Sequence, residues 1–150
     1  MESQEKKGHL HPITAMIRDI VAIFGELGFA VGEGPELETE HFNFDALNVP
    51  AHHPSRDMQD TFWLKPKSDG KLLRTHTTSV SARALAAFKG EPIRSIFPGK
   101  VFRNEATDAT HEIFFTQLEC LVIDEDVSLA NLLSTLETFI IRLFGTETKY

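Results

Sequence analysis

Residues 101–123, VFRNEATDATHEIFFTQLECLVI, hold the densest set of groups able to do chemistry. If Arg103 and Glu105 share one strand and Phe115, Gln117 and Glu119 the next, two-residue alternation puts each set on a single face. A hairpin joining those strands would line one surface with a guanidinium, two carboxylates, an amide and an aromatic ring. Gln117 and Glu119 stand inside an otherwise apolar run, where burial without partners costs several kcal/mol or shifts ionisation. Either this face is solvated, as one face of many antiparallel sheets is, or it is a site.

Other reactive residue types form weaker patterns. His9 and His11, and the adjacent His52 and His53, lack the further carboxylate or cysteine spacing that completes a metal site, so no metal ligands are assigned. Ser79, Ser81, His76 and an aspartate can be assembled into a triad on paper, but no nucleophile-elbow motif accompanies them. Neither a Gly-x-Gly-x-x-Gly fingerprint nor a P-loop occurs, which removes the two commonest phosphate-binding loops.

The elements that must position these groups follow from periodicity. Ile13, Met16, Ile17, Ile20, Val21, Ile23, Phe24 and Leu27 recur by threes and fours, predicting a helix over 12–27. Pro12 suits its first position and Gly28 its end. A strand over 29–31, a short helix within 36–47 and a long loop over 51–71 follow, with 61–64 as a short strand within that loop. A helix is predicted over 80–88, capped by Thr78 or Ser79. Strands 93–97 and 100–104 are separated by Pro98-Gly99, the apolar run 113–123 returns, and an amphipathic helix covers 127–144. This order predicts an α+β fold, an antiparallel sheet flanked by helices.

Size and charge narrow the function classes. The chain has 150 residues, 41% of them hydrophobic and 25% charged, which is the composition of a soluble globular domain and excludes disordered and collagen-like classes. One cysteine, Cys120, excludes an internal disulfide and any Cys-x-x-Cys zinc site and fits a reducing compartment such as the cytosol. No apolar run approaches a membrane span, and the polar N-terminus is unlike a signal peptide. The net charge of −7 divides unevenly: the outer segments, 1–50 and 107–150, are acidic, and only 51–106 is basic. The whole therefore lacks the basic surface of a free-standing nucleic-acid binder, while its middle suits a phosphate-bearing ligand.

Five segments, in order, extend the reading: GHLHPIT at 8–14, GFAVGEGPELETEHFNFDALNVP at 28–50, HPSRDMQDTFWL at 53–64, LLRTHTTSV at 72–80 and FRNEATDATHEIFFTQLE at 102–119. Together they resemble the alpha subunit of bacterial-type phenylalanine–tRNA ligase, a class II aminoacyl-tRNA synthetase. The resemblance implies the class II catalytic fold, with motif 1, a subunit interface, ending near Pro35, and motif 2 at residues 102–105. It implies that Arg103 binds the ATP α-phosphate, with Glu105, His111 and Phe115 also at ATP and Phe115 stacked on adenine. Trp63, His76, Thr78, Gln117 and Glu119 would hold phenylalanine through its ammonium and carboxylate, with Gln117 and Glu119 as acceptors for the ammonium. The carboxylate attacks the α-phosphorus, and a guanidinium bridging both anions helps most where charge shifts. No covalent nucleophile is required; positioning and charge stabilisation suffice.

The resemblance also implies magnesium, L-phenylalanine, tRNA(Phe), a beta subunit in a two-alpha, two-beta assembly, self-association through motif 1, and a cytoplasmic location. Thr78 stands where the family usually has serine, and Thr116 and Cys120 replace the usual His and Gly around Gln117 and Glu119. The expected organisation is a tail over 1–8 and the front half of the catalytic domain over 9–150. An aromatic FPF segment, motif 3 and the magnesium ligands would lie past Tyr150, so the chain alone is expected to be incomplete and inactive. The rival reading is a truncated paralogue that binds a ligand or partner without catalysis.

Overall fold

The computed structural model describes residues 8–56, 61–105, 108–109 and 112–149. Contacts divide the chain into two units, one of residues 1–29 with 127–150 and the other of 30–126.

The first unit is a helix pair. Helix α1 spans Pro12–Glu26, with His11 at its cap accepting from the Ile13 N–H and Pro12 in the first turn, where a missing donor costs nothing. Its end is set by Gly28, whose φ of 81° lets the Phe29 N–H reach back to the Phe24 carbonyl at 2.9 Å. The Phe24 ring then meets Phe29 edge-on at 5.1 Å and Phe139 at 4.9 Å. Phe139 belongs to the unit's second long helix, residues 129–144, which starts at a capping box between Ser128 and Asn131. Leu129, Leu132 and Leu133 of that helix remain more than half exposed.

The second unit carries the chemistry-bearing residues. In chain order it contains β1 (Ala30–Val31), β2 (Leu37–Thr39), α2 (Glu40–Asn43), β3 (Lys71–Leu73), α3 (Thr78–Ala86), β4 (Ile93–Phe102) and β5 (Phe114–Ile123); the long helix of the first unit is α4 (Leu129–Phe144). One sheet has the order β1-β4-β5, the other pairs β2 with β3. The long pairing is antiparallel, Ile93 opposite Ile123 through Phe102 opposite Phe114, and β1 joins β4 in parallel over Ser95 and Ile96. The α+β class is as predicted; the parallel edge makes the larger sheet mixed rather than purely antiparallel.

Several predicted elements change. Strands 93–97 and 100–104 are one strand, β4, ending at Phe102. It tolerates Pro98 because β1 ends opposite Ile96, leaving no strand partner among the described residues on that side of Pro98. Gly99 is needed for space: a Cβ there would collide with Nη2 of the buried Arg74. The helix expected within 36–47 begins as strand β2, because Leu37, Glu38 and Thr39 find partners in Leu73, Leu72 and Lys71. Only Glu40–Asn43 is α-helical, followed by a 3-10 turn at Asp45–Leu47. Segment 61–64 contributes one bridge, Trp63 to Leu72, with Leu73 N–H to the Phe62 carbonyl and Leu64 N–H to the Lys71 carbonyl. The unit's core is Phe44, Leu72, Val80, Ala82, Ile96, Phe97 and Val101.

Helix α3 is the element that reaches the hairpin face. It starts at Thr78, not Val80, and has no side-chain cap; the Thr77 N–H donates instead to Oε1 of Gln117 on β5, at 3.2 Å. One residue past its middle, Arg83 forms a two-pronged ion pair with Glu38 of β2, at 2.8 and 2.5 Å. Glu38 is fully buried, and Arg83 also lies over the Phe42 ring, with its guanidinium carbon 4.1 Å from the centroid.

Candidate active site

The β4–β5 register brings the odd-numbered residues of both strands to one face: Phe97 opposite Glu119, Gly99 opposite Gln117, Val101 opposite Phe115. Arg103 lies one residue past β4, yet its N–H still donates to the Ile113 carbonyl at 2.9 Å, extending the ladder by one rung. Its side chain therefore leaves on the same face and reaches its diagonal neighbour, with the guanidinium carbon 4.8 Å from the Phe115 ring centroid. Glu105 lies beyond the strand, so alternation does not place it there. It is instead exposed and lines a cavity of about 250 Å³ with Arg103, His76, Phe44, Thr75, Ser55 and Val49.

Farther along the same face, Glu119 is held by two hydroxyls of α3. Thr78 Oγ1 donates to its Oε2 at 2.7 Å, and Ser81 Oγ donates to its Oε1 at 2.6 Å. Gln117 accepts the Thr77 N–H through its amide oxygen, because a backbone N–H demands an acceptor; this turns the Gln117 NH₂ away from α3 as a donor. The half-buried polar residues in the apolar run are thus bonded by α3 and its cap residue rather than merely solvated, and among the described residues no Ser-His-Asp triad forms from Ser79, Ser81 and His76. Ser79 Oγ donates to the His76 carbonyl at 3.3 Å.

His76 is set by α2. Its Nε2 lies 3.0 Å from the Asn43 carbonyl, which fixes the proton on that nitrogen. Burial pushes the imidazole below its ordinary value; the Asn43 carbonyl and Glu119 oppose this, and Arg103 adds to it. The ring is neutral at pH 7, and its buried Nδ1 lone pair has no hydrogen-bond partner among the described residues. Asn43 is itself fixed, donating from Nδ2 to Thr75 Oγ1 at 3.0 Å and accepting the Thr75 N–H at 3.2 Å.

Trp63 is not among the residues that line this cavity and meets it only through Phe44. Its Nε1–H donates to the Arg56 carbonyl at 3.2 Å, its ring lies 6.2 Å from Phe44, and Lys67 Nζ sits 4.6 Å from its centroid. Arg56 ties the wall together: it bonds Glu40 at 2.9 Å, Asp45 at 2.6 Å and the Val49 carbonyl, and lies over Phe44 at 4.8 Å. Arg103, Glu105, Phe115, His76, Thr78, Gln117 and Glu119 thus fall around one face and its cavity. Trp63 joins through Phe44, and His111 lies outside the described residues. Sequence reasoning missed Arg56, Asn43 and Thr75, for which no spacing signal existed, and read Ser81 only as a triad candidate. The Thr78-x-x-Ser81 spacing, three apart on one helical face, was the available clue.

This arrangement offers a guanidinium over an aromatic ring, a fixed carboxylate, an amide donor and an imidazole acceptor, all within one unit. The tRNA synthetases class II core domain (F) matches residues 1–150. The chain belongs to this class II tRNA synthetase core-domain family. Among its relatives, the phenylalanine–tRNA ligase alpha subunit of Deinococcus radiodurans is 48% identical over 142 residues, covering 95% of this chain and 41% of the relative. That of Thermosynechococcus vestitus is 49% identical over 139 residues, covering 93% and 40%. The chain thus spans about two fifths of the length of these curated relatives. The pyrrolysyl-tRNA synthetase of Desulfitobacterium hafniense superposes with a TM-score of 0.71 at 20% identity, over 91% of this chain and 48% of the other, a likeness of fold. In class II terms, the hairpin β4–β5 carries the Phe-Arg-x-Glu segment and α3 supplies the hydroxyls that face it. No helix among the described residues is long and apolar enough to cross a membrane.

Proposed function

We propose that this class II core segment acts as part of a phenylalanine–tRNA ligase alpha subunit, binding ATP and L-phenylalanine for the activation that precedes transfer to tRNA(Phe). The observation that carries the reading is the Arg103 guanidinium lying over Phe115, beside a cavity lined by His76 and Glu105 and on the same face as the clamped Glu119. Identities near 48% to proteins named as that subunit supply the substrate class.

The roles follow from donor chemistry. Phe115 offers a flat apolar face for adenine, and Arg103 a forked cation for the α-phosphate and the attacking carboxylate. Arg103 stabilises the charge that builds as the carboxylate oxygen bonds to the α-phosphorus and pyrophosphate leaves. Glu119 accepts from the substrate ammonium. Gln117, expected as a second acceptor for the ammonium, instead has its oxygen taken by the Thr77 N–H, so its outward NH₂ makes it a donor to the substrate carboxylate; the bare Nδ1 of His76 makes it an acceptor for the ammonium. Trp63 backs the amino-acid pocket through Phe44. Glu105 and His111 complete the ATP side. Magnesium is expected to neutralise the ATP phosphates, but no group of three or more His, Cys, Asp or Glu among the described residues could hold a metal ion, so no step is derived through it. The beta subunit, tRNA(Phe), pairing of alpha subunits through motif 1 and a cytoplasmic location belong to the same proposal.

Calorimetric titration of the chain with ATP tests the reading. Saturable binding that Arg103→Ala weakens at least about tenfold is the expected outcome, given the strength of charge-assisted bonds to phosphate. ATP binding unchanged by that substitution would overturn Arg103 as the α-phosphate ligand.

A further inference from the structure

Ser81 has no role in the reaction proposed above, yet it makes one of the shortest side-chain bonds of the hairpin face, 2.6 Å to Glu119. It is buried, and it stands three residues after Thr78 on the same face of α3, so the two hydroxyls meet the two oxygens of one carboxylate. Among the described residues, these hydroxyls are the hydrogen-bond donors to Glu119.

We infer that Ser81 is a positioning residue: with Thr78 it clamps Glu119 so that the carboxylate faces the amino-acid ligand with its charge intact. The inference rests on the reading of this face as an amino-acid site and adds a determinant of ammonium recognition to it. The physical point is the choice of donor. Each hydroxyl fixes one oxygen while leaving that oxygen a second lone pair for the ligand. A lysine or arginine in the same place would orient Glu119 equally well, but would cancel the charge that is to meet an ammonium. The cation available on α3, Arg83, is instead committed to Glu38, at 2.8 and 2.5 Å. The helix thus presents neutral donors to Glu119 and its cation to Glu38.

The added methyl of Thr78 does not prevent the clamp, since its hydroxyl still reaches Glu119 at 2.7 Å. A single hydroxyl leaves the carboxylate free to rotate about its terminal bond, which has a broad, roughly two-fold torsional profile. Two hydroxyls, one per oxygen, set its plane.

The full chain is titrated calorimetrically with L-phenylalanine and with 3-phenylpropanoate, which keeps the ring and carboxylate but lacks the ammonium. Ser81→Ala is expected to weaken L-phenylalanine about tenfold, the size of a hydrogen bond to a charged group, and to leave 3-phenylpropanoate within about twofold. Ser81→Thr, which keeps the hydroxyl, restores the preference. In parallel, Ser81→Ala and Glu119→Gln are combined in a double-mutant cycle read by urea unfolding, where a direct clamp gives a non-additive result. Additive effects in that cycle overturn the clamp whatever the ligand data show. Coupling with equal loss of both ligands overturns the positioning role and leaves a structural bond only. If wild type itself does not distinguish the two ligands, the amino-acid reading of the face fails, while the cycle still decides whether Ser81 holds Glu119.

Discussion

Replacing Arg83 by methionine tests what ties α3 to β2. The Glu38 side chain is 0% exposed and that of Arg83 36%, so the substitution strands a buried carboxylate while removing a half-exposed cation. Arg83 supplies two bonds to Glu38, at 2.8 and 2.5 Å; afterwards the Thr39 N–H, at 2.7 Å, and the more distant Thr39 hydroxyl are what remain. Breaking a buried pair from one side typically costs about 3–5 kcal/mol, and the partial exposure of Arg83 places this case near about 3 kcal/mol. Trp63 is the lone tryptophan and lies in the same unit, so its fluorescence during urea unfolding reports the transition. With a slope of about 1.5 kcal/mol per molar, the midpoint should fall by about 2 M.

The pH dependence of the same pair makes the prediction sharper. Burial raises the Glu38 carboxyl, but the Arg83 bonds and the Thr39 N–H outweigh it, so the folded value lies below the ordinary 4.5. Glu38 therefore adds stability above its unfolded value and loses it as pH falls through the folded one. In the Arg83→Met chain burial dominates, the folded value moves above the unfolded one, and the sign reverses. The gap between wild type and variant should narrow as pH falls from about 7 to about 5. A gap that stays constant across that range, or a loss below about 1 kcal/mol, refutes the account of Glu38 as a buried carboxylate held by Arg83.

Further outcomes follow from the same geometry. Gly99→Ala should destabilise the unit by about 1–3 kcal/mol, because its Cβ meets the buried Arg74 guanidinium; an unchanged urea midpoint would show that Arg74 can move aside. Leu72→Ala, at a fully buried position, should cost about 2–5 kcal/mol by the same assay, more than any exposed leucine of α4. His76, lowered by burial, contributes stability above its unfolded value near 6.5 and loses it as pH falls through the folded one. His76→Gln should remove that part of the decline in urea midpoint between about pH 7.5 and pH 5.5, and an undiminished decline would assign it to other groups.

The long elements were legible because their periodicity is local. The threes and fours of α1 and α4 survive with ends moved by no more than two residues, and the apolar run ending at Ile123 is strand β5. Elements β2 and β3 were not legible. Each is three residues long, too short for a pattern, and each forms because the other is there. Pro98-Gly99 read as a break because those residues usually punctuate; what keeps the strand whole is the early end of β1, a fact of another segment.

The sequence by itself determined which groups could serve the site: Arg103 before the returning strand, Phe115, Gln117 and Glu119 at two-residue spacing, and the α+β class that pairs the strands. Alternation and helical periodicity are short-range rules, so the chain obeys them before it folds. Only the tertiary structure decided what those groups present to a ligand. Thr78 and Ser81 are 41 and 38 residues from Glu119, yet they fix its carboxylate; Thr77 turns Gln117 into a donor, and Asn43 makes His76 an acceptor. Hydrogen bonds of that reach are set by how α2 and α3 pack on the sheets, and no local pattern encodes their direction.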